Sequence, residues 1–361
     1  MTTLGSGTHP PAGLGTPVGQ GEGVWRAQLA ADGSLTAEQV SVIPAPSFLA
    51  AHPRLPLVYA VSEDAPSALA VYRADAPGAP VATHDLGGRD ACHVLVAPDA
   101  RALHVALYSS GELVSFALDA DGLPVAESRR RHAFQGSGPR EDRQEAAHAH
   151  FAALSPAGSE LLVVDLGSDT VWALPLDAEG LPGDPHPAVT LAPGAGPRHL
   201  VARGDLLYVI CELGHEIATV RWDRASATGE VIATTPTTLV DQRTGEGVFD
   251  AHVELVAGAT GDVLLASTRG PNVVSVFDVF PEGELRYRAA FDCGEWPRHF
   301  TVTADAGGTA RLVVGAARAH EIRSFVLADV LVLAPEQANG DIAELPFHAA
   351  HVVSPACICP V

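Results

Sequence analysis

The sequence predicts an all-β, seven-bladed β-propeller built from four-stranded antiparallel blades. Three observations predict it. A short apolar run recurs seven times along the 361 residues. Gly-containing turns follow several of these runs, as hairpin punctuation does. No stretch shows convincing 3.6-residue periodicity, so helix is expected to be scarce.

The runs are Val24-Trp25-Arg26-Ala27, Leu69-Ala70-Val71-Tyr72, Leu113-Val114-Ser115-Phe116, Val171-Trp172-Ala173-Leu174, Ile217-Ala218-Thr219-Val220, Val273-Val274-Ser275-Val276 and Ile322-Arg323-Ser324-Phe325. Their starts lie 45, 44, 58, 46, 56 and 49 residues apart. A propeller blade needs about 40–50 residues. The turns are Asp32-Gly33, Asp121-Gly122, Glu179-Gly180 and Glu282-Gly283. Most runs are preceded by two further apolar strands, such as 93–98 then 102–107, and 151–156 then 161–164. Each unit then holds about four short strands. Two β-sandwiches would explain the turns equally well, but not seven copies at a near-constant interval. The whole chain is expected to form this one domain, with 1–20 as a flexible segment and 354–361 as a tail. The closing blade is expected to pair residues 348–353 beside Val24.

The start of each inner strand and the end of the next one should meet at the same mouth of the central channel. Their separation is nearly constant. Phe48 to Glu63, His93 to Tyr108, His150 to Asp165 and Glu254 to Arg269 are each 15 residues, Arg198 to Glu212 is 14 and Arg298 to Arg318 is 20. These positions are polar for residues bordering apolar strands. They collect His93, His150, Arg198, His199, Glu254, Arg298 and His299 from inner-strand starts, and Glu63, Tyr108, Asp165, Glu212, Arg269 and Arg318 from second-strand ends. His148 lies two residues from His150. One mouth is therefore expected to be a concave site lined by His, Arg and carboxylates of different blades. Strand-end polar residues also commonly satisfy loop backbone, which is the bland reading of any one of them.

The net charge of −21 argues against nucleic acid and anionic membranes as partners. No window reaches 18 uninterrupted apolar residues, so no membrane span is expected. All 22 basic residues are Arg. With no Lys, Schiff-base chemistry and a Walker A phosphate loop are excluded. The five Cys, an odd and widely spaced set, predict no disulfide framework and fit a reducing cytoplasm. Cys357 and Cys359, in the Pro-flanked tail, read as surface residues. Residues 1–20 lack a basic start and an apolar core, so they do not read as a signal peptide. An Arg-lined mouth on an acidic protein favours a small anionic ligand. A monomer or weak homo-oligomer is expected.

Several segments carry a family resemblance. Gly196-Pro197-Arg198-His199-Leu200, Cys211-Glu212-Leu213, Ala266-Ser267-Thr268-Arg269-Gly270 and Pro297-Arg298-His299-Phe300 resemble the lactonase family of seven-bladed propellers. That family includes the propeller-type 6-phosphogluconolactonases and the fungal carboxy-muconate cyclase. His148-Ala149-His150 followed by Ser155-Pro156 resembles the family's His-Pro-His segment. The resemblance runs from about 45 to 330. The chain departs from it at Cys211, where members usually carry Asn, at Ala149, where they carry Pro, and at Ala317-Arg318, where they often read Asn-Gln.

The resemblance implies hydrolysis of a sugar-acid lactone without a cofactor or metal. His150 and Glu212 are the expected acid/base pair. Arg198 and Arg269 are expected to hold the oxyanion or the substrate's anionic group, because Arg stays protonated and binds bidentately. His148, Glu254, Arg298, His93 and His199 are expected to bind and position substrate. A lactone-forming cycloisomerase would use the same set. A metal-dependent lactonase would draw on His93, His148, His150, His199 and Glu254, but no tight spacing such as His-Glu-x-x-His occurs. A binding scaffold is the non-enzymatic alternative. No Gly-x-Ser-x-Gly elbow is present.

Overall fold

Each of the seven recurrent runs forms the third strand of a separate sheet. These strands are Val24–Leu29, Ala68–Arg73, Glu112–Ala117, Thr170–Pro175, Glu216–Asp223, Val273–Val279 and Glu321–Val326. The structure is a computed structural model, and it describes residues 2–8 (backbone only), 23–76, 78–241, 247–259, 261–333 and 340–361. Six sheets have four strands and one has five, the extra strand being Ile342–Ala343, which adds in parallel to Leu285–Asp292. Among the described residues the helices are Ala126–Ser128 and Leu327–Leu331. Neither is long and apolar enough to cross a membrane.

Blades 1 to 6 take their inner strands in chain order: Pro46–Ala51, Ala91–Val96, Ala149–Leu154, Pro197–Arg203, Phe249–Gly258 and Pro297–Ala304. Blade 7 closes the ring. The four expected turns join third to fourth strands, and their glycines sit at φ between 77° and 94°, where a side chain would be strained.

The core lies between blades. Leu57–Ser62 and Ala102–Leu107, the second strands of blades 1 and 2, are buried at every residue. Both of their faces meet other sheets, so they read as continuous apolar runs rather than alternating ones. Three apolar clusters each combine two consecutive blades: Tyr59 and Val71 with Val94 and Phe116, Val164 and Val171 with Val209 and Trp222, Phe291 and Val276 with Phe300 and Phe325. Fully burying one such side chain contributes roughly 1.5–3 kcal/mol. Each blade is therefore held by its neighbours rather than by itself.

The closure corrects two expectations. The strand Phe347–His351 is the outer strand of blade 6, paired with Glu321–Val326. The inner strand of blade 7 is Pro355–Pro360, and Thr2–Thr8 pairs between it and Val24–Leu29. The expected loose segment and tail are thus both strands where they are described. Cys357 and Cys359 are buried at 1% and 7% exposure, not on the surface. Burial pushes the Cys359 thiol up to about 12. The flanking prolines misled because proline is tolerated at the start and on the edge of a sheet. Pro46, Pro197 and Pro297 open inner strands in the same way.

Candidate functional site

A bulge recurs at the start of every inner strand. Register slips by one residue between Pro46 and Phe48, Ala91 and His93, Ala149 and Phe151, Pro197 and His199, Asp250 and Val253, and Pro297 and His299. The closing strand repeats it around Ala356. A bulge leaves one residue unpaired and re-aims its side chain. Ser47, Cys92, His150, Arg198, Arg298 and Ala356, six of these extra residues, line one tight cavity of about 10 Å³, room for about one water molecule. Phe48, His199 and His299 line it from the next position along. Blade order sets small side chains (Ala356, Ser47, Cys92) along one arc and His150 and Arg198 beside them.

The next position forms an aromatic layer across the channel. Phe48 meets His93 at 4.4 Å and His299 at 5.3 Å between ring centroids. His93 meets Phe151 at 4.0 Å, Phe151 meets His199 at 4.4 Å, and His252 meets His299 at 4.1 Å. Arg198 Nη1 lies 3.1 Å from His199 Nε2 and can only donate, so His199 carries its proton on Nδ1. That Nδ1 donates to His252 Nδ1 at 2.9 Å. His93 Nδ1 accepts from Ala152 N at 3.2 Å. Burial holds His93, His199 and His252 well below the usual imidazole value, so the layer is neutral.

Beside the cavity, Glu212 is clamped by three arginines. Arg143 Nη2 donates to Oε1 at 2.7 Å and Arg269 Nη2 to Oε2 at 2.8 Å, while Arg198 Nε lies 2.9 Å from Oε2. Glu212 is 2% exposed. Burial alone would raise its pKa, but Arg269, Arg143 and Arg198 together hold it well below the carboxylate range. Burial draws Arg269 down to about 9 and Arg198 to about 10, so both stay charged at neutral pH. His150 is held well below 6.5, first by burial and then by Arg198. Its Nδ1 and Arg298 Nη1 are buried without a hydrogen-bond partner among the described residues.

The structure brings His150, Arg198, Arg298 and His199 to the cavity, with Glu212 and Arg269 directly behind Arg198. It separates the others. His93 lies in the aromatic layer. His148 stacks on Tyr108 at 4.4 Å and faces the Tyr108 carbonyl and Glu145. Glu254 does not face Arg269: Arg269 pairs with Phe249, and Glu254 pairs with Leu265, five residues further along the strand. There Glu254 Oε1 accepts from Val302 N at 3.4 Å, and burial raises the carboxyl to about 7. Asp165 and Arg318 also lie one residue off the expected register. Asp165 instead accepts from His148 N, Gly167 N and Trp172 Nε1. Among the described residues no group of three or more His, Cys, Asp or Glu is placed to hold a metal ion.

Sequence reasoning missed Arg143 and His252. Arg143 lies in the connection 134–148, inside the 58-residue interval, whose excess length marked an insertion into the mouth. His252 follows the bulge as His93, His199 and His299 do, a recurrence that aligns it at sight.

Comparison with known proteins follows from this geometry. A 6-phosphogluconolactonase of Bacillus subtilis (strain 168) is 28% identical over 278 residues, covering 73% of this chain and 75% of that one. A 6-phosphogluconolactonase of Formosa agariphila is 29% identical over 199 residues, covering 53% and 54%. The Pseudomonas aeruginosa periplasmic gluconolactonase PpgL has the same fold, with a TM-score of 0.78 at 23% identity over 100% of this chain and 99% of that one. A Lactobacillus plantarum protein superposes with a TM-score of 0.81 at 22% identity, covering 100% of each chain. The family description "Lactonase, 7-bladed beta-propeller" matches residues 5–330, and the chain belongs to that family.

Proposed function

We propose that this protein hydrolyses a small anionic sugar-acid lactone of the 6-phosphogluconolactone type at the channel mouth, over this cavity. One observation carries the reading. Buried polar atoms of three side chains lining the same cavity, His150 Nδ1, Arg198 Nε and Arg298 Nη1, meet no hydrogen-bond partner among the described residues. Unsatisfied buried donors are costly, so a ligand is their natural complement. The names of the B. subtilis and F. agariphila relatives support the substrate class.

In this reading neutral His150 takes a proton from water as the water oxygen attacks the lactone carbonyl. The developing oxyanion is held by Arg298. The tetrahedral intermediate collapses, the carbonyl–ring oxygen bond breaks, and His150 returns the proton to the leaving alkoxide. The products are one hydroxyl and one carboxylic acid, which ionises to a carboxylate and releases its proton. Glu212 takes a different part from the one its residue type first indicated. Held ionised by three arginines, it fixes Arg198 and Arg269 rather than shuttling a proton. The five unpaired cysteines support a reducing compartment, the cytoplasm.

The test is a panel of sugar-acid lactones followed by acid release, with and without chelator. His150→Gln should lower turnover by roughly 10²–10⁴-fold. Turnover should rise with pH through the depressed His150 value and be flat above pH ~6.5. Chelator should change nothing. Wild-type protein that opens no lactone faster than water does would end the hydrolase reading.

A further inference from the structure

Five of the seven inner strands are preceded by a residue in the left-handed region. They are Ala45, Asp90, Gly196, Trp296 and Ser354, with φ of 42°, 58°, 59°, 64° and 46°. Four are small or short and polar, as this backbone favours. Trp296 is the exception, and a bulky aromatic there is an outlier that the surroundings must over-determine. Its N–H donates to Asn272 Oδ1 at 3.0 Å and its carbonyl accepts from Ala317 N at 3.1 Å.

What the indole touches accounts for it. The guanidinium carbon of Arg318 lies 3.6 Å from the Trp296 ring and that of Arg269 lies 5.5 Å from it. Arg269 in turn lies 5.6 Å from the Phe249 ring, and Arg143 lies 5.8 Å from the same ring. Phe249 and Trp296 are 5.9 Å apart. Two aromatic rings thus interleave three cations, and two of those cations clamp Glu212. An apolar core filler has no reason to sit between guanidiniums. A π-face attracts each cation and keeps like charges apart.

We propose that Trp296 is a positioning residue: its indole spaces Arg318 from Arg269 and so holds Arg269 on Glu212, fixing the charge layout with which the mouth binds an anion. This rests on the reading of the mouth as an anion site. Blade 4 supplies the internal control, because the same two positions there are Gly196 and Leu213, and a Cβ on Gly196 would meet Leu213 Cγ at 2.5 Å.

The experiment compares Trp296→Phe, Trp296→Leu and Trp296→Gly with wild type, titrated with inorganic phosphate and with gluconate by calorimetry and assayed for lactone opening. Thermal unfolding runs alongside. Phe keeps a π-face and should bind within about threefold of wild type. Leu and Gly should bind roughly tenfold more weakly, the size expected from losing a desolvated cation–π contact. Gly relieves the backbone but removes an indole that is 3% exposed, so its Tm falls too, and Leu, which fills more of the space, separates lost affinity from lost packing. Leu and Gly variants that bind both anions as wild type does would overturn the positioning role. So would a wild-type protein that binds neither anion. Wild-type protein that binds both anions yet opens no lactone refutes the hydrolase reading alone and leaves the Trp296 comparison standing.

Discussion

Blades 4 and 6 begin their inner strands with the same residues, Pro197-Arg198-His199 and Pro297-Arg298-His299. Both arginines sit at the bulge and both line the cavity. Arg198 faces Glu212, His199 and the Ala251 carbonyl, its Nε meeting Glu212 as an ion pair rather than in a hydrogen bond. Arg298 keeps a buried Nη1 without a hydrogen-bond partner among the described residues. The cause is the facing strand. Glu212 N donates to the Gly196 carbonyl, and in blade 6 it is Ala317 N that donates to the Trp296 carbonyl. Where blade 4 carries a carboxylate, blade 6 carries a methyl group. One motif therefore makes an arginine tied to a carboxylate in one blade and an arginine facing a methyl group in the other.

The sharpest way to break this contrast is Glu212→Gln. It removes the one carboxylate from a buried group of three arginines. Losing a buried ion-pair partner costs about 3–5 kcal/mol, read by denaturant unfolding at pH 7. Its pH dependence has a definite sign. The folded pKa is depressed, so the Glu212 contribution is present above the unfolded value near ~4.5 and disappears as pH falls through the lower folded value. The variant should lack that acid-side loss.

Glu254, which touches the inner strand of blade 6 through Val302 N, should show the opposite sign. Its carboxyl is raised from 4.5 to about 7. The folded state then holds an extra proton, and stability is full below about 4.5 and falls as pH rises through about 7. The slope is worth at most roughly 3 kcal/mol. Glu254→Gln should flatten the stability profile across that window. A profile unchanged by the substitution would show that this carboxyl is not the titrating group.

Ala317→Glu gives blade 6 the carboxylate of blade 4. It should capture Arg298 and reduce kcat/KM for the best lactone about tenfold or more, equivalent to about 1.4 kcal/mol. Retained activity would mean that Arg298 is not the open donor. The smallest effect on activity is expected from Gly196→Ala. A non-glycine residue at φ +59° costs about 1–2 kcal/mol, and the added Cβ, 2.5 Å from Leu213 Cγ, adds roughly 1–3 kcal/mol of overpacking, read together as a lower denaturation midpoint.

Much of the architecture was legible because each third strand carries a short, mostly apolar run at a near-regular interval. The mouth was legible because the separation from the start of the first strand to the end of the second is nearly constant. The same regularity misplaced Glu254. Blade 5 has long first and second strands, Phe249–Gly258 and Gly261–Arg269, so a fixed spacing of 15 selected a residue three positions beyond the bulge at Ala251. Arg143 was not legible as part of the clamp because an inserted connection has no counterpart in other blades to align with. Without it, the number of cations on Glu212 could not be counted, and a carboxylate beside two arginines reads as a proton carrier rather than a fixed counter-charge. The last strand hid behind its prolines.

That last strand has a consequence in time rather than in space. Ala356 lines the cavity, and Cys357 and Ile358 pack into the seams on either side of blade 7. During synthesis on the ribosome, the other six inner strands can emerge and stack before residues 355–360 leave the exit tunnel. Until then the pocket lacks part of its wall and both seams stay open. The nascent chain can be nearly folded and still have no finished binding site, so competence arrives in one step, when the final strand clasps the first.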